Sequence, residues 1–342
     1  MKNNSLQFFR KLIETISPSG SEQEAVELWE REVKKFVRKV EVDIHGNGIA
    51  VLNEDKKPKI MLASHIDEVG FMVKYIDKDG YIYFSPIGGI DPHLIPGRRI
   101  RIKTKKGEVL GVIGKKPVHL LEEEEKKKIC KVEKLWIDIG AKDEKEAKSR
   151  IEIGDVAVVN MGFDILNSDR VIGRGFDDKA GVFVITEVLK KLSKKKLSAS
   201  LYGVITVQEE IGLRGARTSA YGISPDIGIA IDVTFAADFP TMDKRKMGDI
   251  KIGGGPVIAK GPNINPKIFD LLVNAAKKGN IPYQIEAIAG GTGTDANIIQ
   301  LTKSGIATGL VSIPLRYMHT PVEIISLMDL ENTVKLLEKA LS

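Results

Sequence analysis

DDKAGVFVITEVLKKLSKKKLSASLYGVITVQEE, residues 177–210, is the stretch whose reading decides the fold. Its first sixteen residues read as a helix. LYGVIT, further on, is an apolar, β-branched run that reads as a buried strand. The alternation continues downstream: GARTSAYG as helix, IGIAIDV as strand, PKIFDLLVNAAKKG as helix, YQIEAIA as strand, DANIIQLTKSG as helix and ATGLVSIP as strand. A final helix starts at Ser326. Strands alternating with helices predict an α/β fold with a mostly parallel sheet sandwiched by helices.

Upstream, the first 40 residues read as helical. Ser21 as N-cap with Glu24 three residues later predicts a capping box, and Ala25, Leu28, Trp29, Val33, Phe36 and Val37 share one helical face. VEVDIHGNGIAVL and PKIMLASHIDEVG follow as strands. From residue 70 the texture changes to short alternating runs (FMVKYIDKDGYIYFSPIGG, RRIRIKTKKGEVLGVIG, KLWIDIG) broken by DKDG, KKG and PG turns. This all-β texture ends around DVAVVN at 155–160. The expected organisation is one α/β domain, residues 1–69 and 161–342, interrupted by an inserted β domain over 70–160.

The chain has 342 residues, 42% apolar and 29% charged, which describes an ordinary globular protein. Abundant Lys and Glu with few Gln is the balance reported for proteins from hot environments. One cysteine, Cys130, excludes an internal disulfide framework and a Cys-rich zinc site. MKNNSLQFFRKLIETIS has no continuous apolar core, so no signal peptide is expected, and no apolar run approaches a membrane span of about 18 residues. A cytoplasmic location is therefore expected. The net charge of +6 is scattered among acids without an Arg/aromatic stripe, which argues against nucleic-acid partners.

In open parallel sheets ligand sites lie beyond the carboxyl ends of the strands. Apolar runs here are followed by His65 (with Asp67 two residues on), by Asp177 and Asp178, by Glu209 and Glu210, by Asp232, and by His319. Each has a structural reading of its own: a core histidine, a helix N-cap, a solvated turn, a loop aspartate, a turn-starting histidine. All five at one sheet edge favour a shared site. Two imidazoles and three carboxylates suit Zn²⁺, Co²⁺ or Mn²⁺. Five ligands exceed the needs of one catalytic zinc and, with one carboxylate bridging, fit two ions. One glutamate of the 209–210 pair would then bind metal and the other would handle the proton.

Six motifs in order, SHIDEVG (64–70), GRGFDDKAG (173–181), QEEIGLRGA (208–216), IDV (231–233), GGTGTDA (290–296) and RYMHTP (316–321), resemble the tetrahedral (TET) aminopeptidases. Some members of that family have been labelled endoglucanases. The resemblance runs from ProSerGly at 18–20 to the last helix. It implies that His65 and Asp232 hold one metal, that Glu210 and His319 hold the other, and that Asp177 bridges them. Glu209 would be the general base, and Asp67 would hydrogen-bond the other nitrogen of His65. It further implies a cis peptide between Asp177 and Asp178, a PDZ-like barrel as the β insert, and twelve subunits forming a hollow tetrahedron.

GGTGTDA also fits the loose dinucleotide pattern G-x-G-x-x-A, but the next strand carries no acid at the required distance. The resemblance instead places Thr294 and Asp295 facing a substrate pocket. His45, His93 and His119 are assigned structural or surface roles. The expected activity is a two-metal aminopeptidase, using Zn²⁺ or Co²⁺ and acting on short peptides. An N-acyl-amino-acid deacylase or carboxypeptidase with the same metal pair is the alternative. A non-catalytic metal store has no use for Glu209. Glycosidases work with a carboxylic acid pair, whereas this site is built to hold metal.

Overall fold

The computed structural model describes residues 3–342. After the helices Asn3–Glu14 and Gln23–Val33 come strands β1 (Lys39–Val42), β2 (Gly48–Leu52) and β3 (Lys59–His65). Six more follow: β4 (Gly70–Ile76), β5 (Ile82–Ile87), β6 (Arg99–Thr104), β7 (Gly107–Gly114), β8 (Trp136–Asp138) and β9 (Val156–Val159). The last eight are β10 (Asp164–Asn167), β11 (Arg170–Gly173), β12 (Ser200–Thr206), β13 (Ile227–Phe235), β14 (Val257–Lys260), β15 (Gln284–Ala287), β16 (Ala307–Leu315) and β17 (Glu323–Ser326).

Eight strands make one sheet in the order β1-β2-β12-β3-β13-β16-β14-β15. Its centre is parallel (β12 with β3, β3 with β13, β13 with β16), and β2 with β12 and β14 with β16 run antiparallel. The pleat sends alternate residues to opposite cores. Leu62 of β3 joins Phe9, Trp29, Phe176 and Phe183 on one face. Its neighbours Met61 and Ala63 join Ala216 and Ala220, from the helix Arg214–Ile223, on the other. The helix Phe176–Leu192 is buried almost throughout, which explains why its sequence is apolar nearly all round.

Between β3 and β10 the chain leaves this sheet to form a closed antiparallel barrel, β4-β5-β8-β7-β6-β9, around Phe71, Ile82, Phe84, Ile100, Ile102 and Ile137.

Three features depart from the sequence reading. The second helix begins at Gln23 with Glu22 as N-cap, and no side-chain capping bond is made. The Glu22 carboxylate turns inward instead and accepts from Gly20 N at 2.7 Å and Gln208 N at 3.1 Å. VIGRGF does not feed the main sheet. Its strand, β11, lies in a small antiparallel sheet between β10 and β17. The helix from Asp295 is only one turn, Asp295–Ile299. Ser326 does cap the final helix, Leu327–Ala340, accepting from Met328 N at 3.1 Å and Asp329 N at 3.4 Å.

Candidate active site

β12 ends at Thr206, the last residue of LYGVIT. Gln208 then takes a left-handed conformation, φ 57°, which turns the chain so that Glu209 and Glu210 both line one cavity. The turn packs directly on the following helix: Gly215 N donates to Val207 O at 2.9 Å. A Cβ at Gly215 would meet Asn47 Oδ1 at 2.3 Å, so only glycine fits there.

Asp67 fixes this turn. Its Oδ1 accepts from Glu209 N at 3.0 Å and its Oδ2 from Glu210 N at 3.1 Å and Ser19 Oγ at 2.6 Å. His65 Nδ1 lies 3.1 Å from the main-chain carbonyl of Asp67 and 3.6 Å from its carboxylate. The carbonyl is the hydrogen-bond partner, which leaves Nε2 to face the cavity.

There Nε2 of His65 is 3.0 Å from Asp177 Oδ1, 3.9 Å from Glu209 Oε2 and 4.0 Å from Asp232 Oδ1. On the other side of Asp177, its Oδ2 is 3.3 Å from His319 Nε2, which is also 3.3 Å from Glu210 Oε1. The two oxygens of Asp177 thus face different imidazoles. The peptide joining Asp177 to Asp178 is cis, and Gly175 (φ 63°), not Asp177, occupies the N-cap. Asp178 turns away from the cavity and accepts from Ser64 Oγ at 2.5 Å and Gly181 N at 3.1 Å.

Glu323 is a residue that sequence reasoning missed. It lies on β17 and is buried. Its Oε2 accepts from Phe176 N at 2.7 Å and Asp177 N at 3.3 Å, while its Oε1 accepts from His319 N at 3.1 Å. One carboxylate therefore clips together the segments bearing Asp177 and His319. Its only signal in the sequence is an acid opening the apolar run EIIS. The barrel contributes as well: the carbonyl of Gly89 accepts from His319 Nδ1 at 2.8 Å.

The cavity holds about 390 Å³. Five carboxylates line it (Asp177, Glu209, Glu210, Asp232 and Glu286) together with His65 and His319, and among the described residues no lysine or arginine does. Thr294 lines it too. Asp295 does not; it is buried, accepts from Thr206 Oγ1 at 2.6 Å, and burial raises its carboxyl to about 6.

The electrostatics follow from this crowding. Burial, then Asp232, Asp295 and Asp177, push Glu209 up to about 10. Burial first, then Asp177, raises Asp232 well above the carboxylate range. Burial opposes charge on His65, but Glu209, Asp177 and Asp67 outweigh it and raise the imidazole. Hydrogen bonds donated to Asp177 and Glu210 push His319 up to about 11. So many acids facing one cavity call for cations. His65, Asp177 and Glu210 each offer a ligand atom within 4.8 Å of the others. His65, Asp178 and Asp232 form a second such group, in which Asp178 also accepts from Ser64 Oγ. These oxygen and imidazole donors fit divalent metal, with ligand protons released on binding.

The architecture is that of the TET aminopeptidases. The chain superimposes on a TET aminopeptidase from a marine-sediment Thaumarchaeota archaeon with a TM-score of 0.95 and 33% identity, covering 99% of this chain and 97% of that one. It likewise matches the Pyrococcus horikoshii TET1 peptidase, which can assemble into a tetrahedron or a large octahedral shell (TM-score 0.88, 33% identity, 98% and 99% covered). Among relatives by sequence, the lysyl aminopeptidase of Pyrococcus furiosus is 40% identical over 96% of this chain and 94% of its own. The family model for M42 glutamyl aminopeptidases matches residues 46–336, and the chain belongs to that family of metal-dependent aminopeptidases.

Proposed function

We propose that this aminopeptidase removes single N-terminal residues from short peptides with two divalent ions, Zn²⁺ or Co²⁺, held in the cavity described above. His65 and Asp232 hold one ion, Glu210 and His319 hold the other, and Asp177 is the shared ligand. The observation that carries this reading is Asp177 itself, with Oδ1 3.0 Å from His65 and Oδ2 3.3 Å from His319. When bound, such a pair polarises the scissile carbonyl and acidifies the attacking water.

Glu209 is the proton carrier. Its carboxyl faces the cavity while Asp67 holds its backbone in place. It accepts the proton of the attacking water and passes it to the leaving amine. Neutralising the neighbouring carboxylates by bound ions removes the repulsion that raises Glu209, bringing it back toward the working pH. Asp67, through its carbonyl, keeps His65 in the tautomer that presents Nε2.

By analogy with the TET relatives, the particle is a tetrahedral dodecamer with residues 70–160 as its association domain, working in the cytoplasm. Analytical ultracentrifugation tests the assembly. The activity is tested on peptides with free or acetylated N-termini, using chelated enzyme before and after adding back Zn²⁺ or Co²⁺. Metal-restored release of single residues from free amines is the expected result. Cleavage confined to acetylated substrates would establish a deacylase instead.

A further inference from the structure

The HGNG turn at 45–48, between β1 and β2, reaches the active site through one side chain. Asp43 builds the turn: its Oδ1 accepts from the backbone N–H groups of His45, Gly46 and Asn47, each at 2.9 Å. Asn47 is fully buried. Its Nδ2 donates to Asp43 Oδ2 at 2.7 Å and to Thr218 Oγ1 at 3.0 Å. That leaves its Oδ1 as the acceptor, and this oxygen receives Val207 N at 3.1 Å. The same oxygen lies so close to Gly215 that the amide has little room to move.

Val207 is the first of four consecutive residues whose N–H groups are each received by a side chain from elsewhere in the chain. Val207 N goes to Asn47, Gln208 N to Glu22 Oε1 at 3.1 Å, and the amides of Glu209 and Glu210 to the two oxygens of Asp67. Gln208 sets the need for such a clamp. At φ 57° it is a non-glycine residue in the left-handed region, which costs free energy and persists only where the surroundings hold it. Relaxed to an extended backbone, the chain would send Glu209 and Glu210 to opposite sides, as successive strand residues point. Asp67 grips the amides after Gln208, and Asn47 grips the amide before it. Asn47 does not itself line the cavity.

We propose that Asn47, oriented by Asp43, is a positioning residue of the peptidase reaction, holding the backbone bend that aims Glu209 into the cavity. The inference rests on the role of Glu209 as proton carrier in the proposed reaction and deepens it. A separation of effects follows. Bound ions and Asp67 keep Glu210 in place when Asn47 is lost, whereas Glu209 holds no ion and moves with the bend. Turnover therefore falls while substrate binding and metal content hold.

The test measures kcat and KM of the metal-loaded enzyme on a panel of aminoacyl p-nitroanilides. It compares wild type with Asn47→Ala, Thr218→Val and the exchanged pair Asp43→Asn/Asn47→Asp. Metal content, thermal unfolding and amide hydrogen exchange over residues 207–210 accompany the kinetics. Asn47→Ala is expected to lower kcat about 10²-fold with KM and metal content unchanged, and to speed exchange at 207–210. The exchanged pair remakes the bond between residues 43 and 47 in reverse and leaves an oxygen for Val207 N, so kcat and protection are expected to return. Thr218→Val, at an exposed position, removes one partner of Nδ2 and is expected to lower kcat by less. Wild-type kcat in folded Asn47→Ala would overturn the assignment, and if that variant does not fold, wild-type kcat in Thr218→Val would do so. A kcat lost together with metal, or an exchanged pair that folds without recovering kcat, would also overturn it. No turnover of any substrate by wild type would sink the peptidase reading instead. Exchange at 207–210 then decides the clamp alone: faster in Asn47→Ala supports it, and unchanged overturns it.

Discussion

The carbonyl of Gly89, in the barrel, accepts a hydrogen bond from Nδ1 of His319, in the α/β domain, at 2.8 Å. The two residues are 230 positions apart in sequence. With Nδ1 engaged there, Nε2 is the nitrogen that faces Asp177 and Glu210. The barrel therefore does more than attach to the catalytic domain. It sets the tautomer and the angle of a proposed ligand.

That relationship can be perturbed through the neighbouring Gly88. Its φ is 74°, and a Cβ there would meet Val69 Cγ1 at 2.8 Å. Gly88→Ala is expected to displace the Gly89 carbonyl and to weaken binding at the His319 ion by about 10–100-fold, the usual penalty for losing such a partner. Zinc titration of the chelated protein, with circular dichroism to check the fold, measures it. Wild-type affinity would mean that the Gly89 bond does not orient His319.

Glu209→Gln is nearly isosteric and keeps the Asp67 bond to the backbone of residue 209. It removes the proton carrier and is expected to lower kcat by about 10²–10⁴ while metal content stays at the wild-type level. Retained turnover would pass the role to another group.

Two-ion occupancy has its own readout. Elemental analysis should give two ions per wild-type chain. His319→Ala should give one, since His65 and Asp232 are untouched, and Asp177→Asn should lower both affinities. One ion in the wild type, or two in His319→Ala, would refute the shared-ligand arrangement.

Stability at low pH should follow Glu68. This buried carboxylate pairs with Arg174, accepts from Lys179 Nζ at 2.7 Å, and also accepts from Ser17 N at 3.1 Å. Burial opposes its charge, but Arg174 and Lys179 prevail and hold it at about 2 against an ordinary 4.5. Its partner Lys179 is lowered as well: burial, with the nearby Arg174 adding to it, outweighs the pull of Glu68 and takes it down to about 8. Below pH 4.5 both cations remain charged, so Glu68 alone decides the trend. Its folded pKa is the lower one, so its contribution is complete above pH 4.5 and is lost as pH falls toward 2. The shift corresponds to about 3 kcal/mol. Glu68→Gln should unfold at lower urea than wild type at pH 7, by about 3–5 kcal/mol, with the gap narrowing toward pH 3. A gap independent of pH would show that Glu68 acts through packing alone.

Much of the site was readable before folding because its chemistry is carried by residue type and local position. His65, Glu209 and Glu210 follow strands of a parallel sheet, and such ends are where polar groups can stand without breaking a hydrophobic core. The reading failed where a partner lies far off in sequence. Asp177 reaches the site from a separate antiparallel sheet, held by Glu323, and no periodicity in VIGRGF distinguishes that from a main-sheet strand. Ser21 and Glu24 fit a capping box, yet Glu22 turned inward to serve Gln208 N. A local cap was given up for a bond that closes the Glu209–Glu210 turn.

The sequence by itself determined the secondary-structure alternation, the interrupted domain and the set of imidazoles and carboxylates, since these depend on hydrophobic period and side-chain chemistry over short spans. Only the tertiary structure decided which nitrogen each histidine presents and which oxygen of Asp177 faces which imidazole. Those are distances between groups as much as 230 residues apart, set by sheet order and barrel docking. No local pattern encodes them.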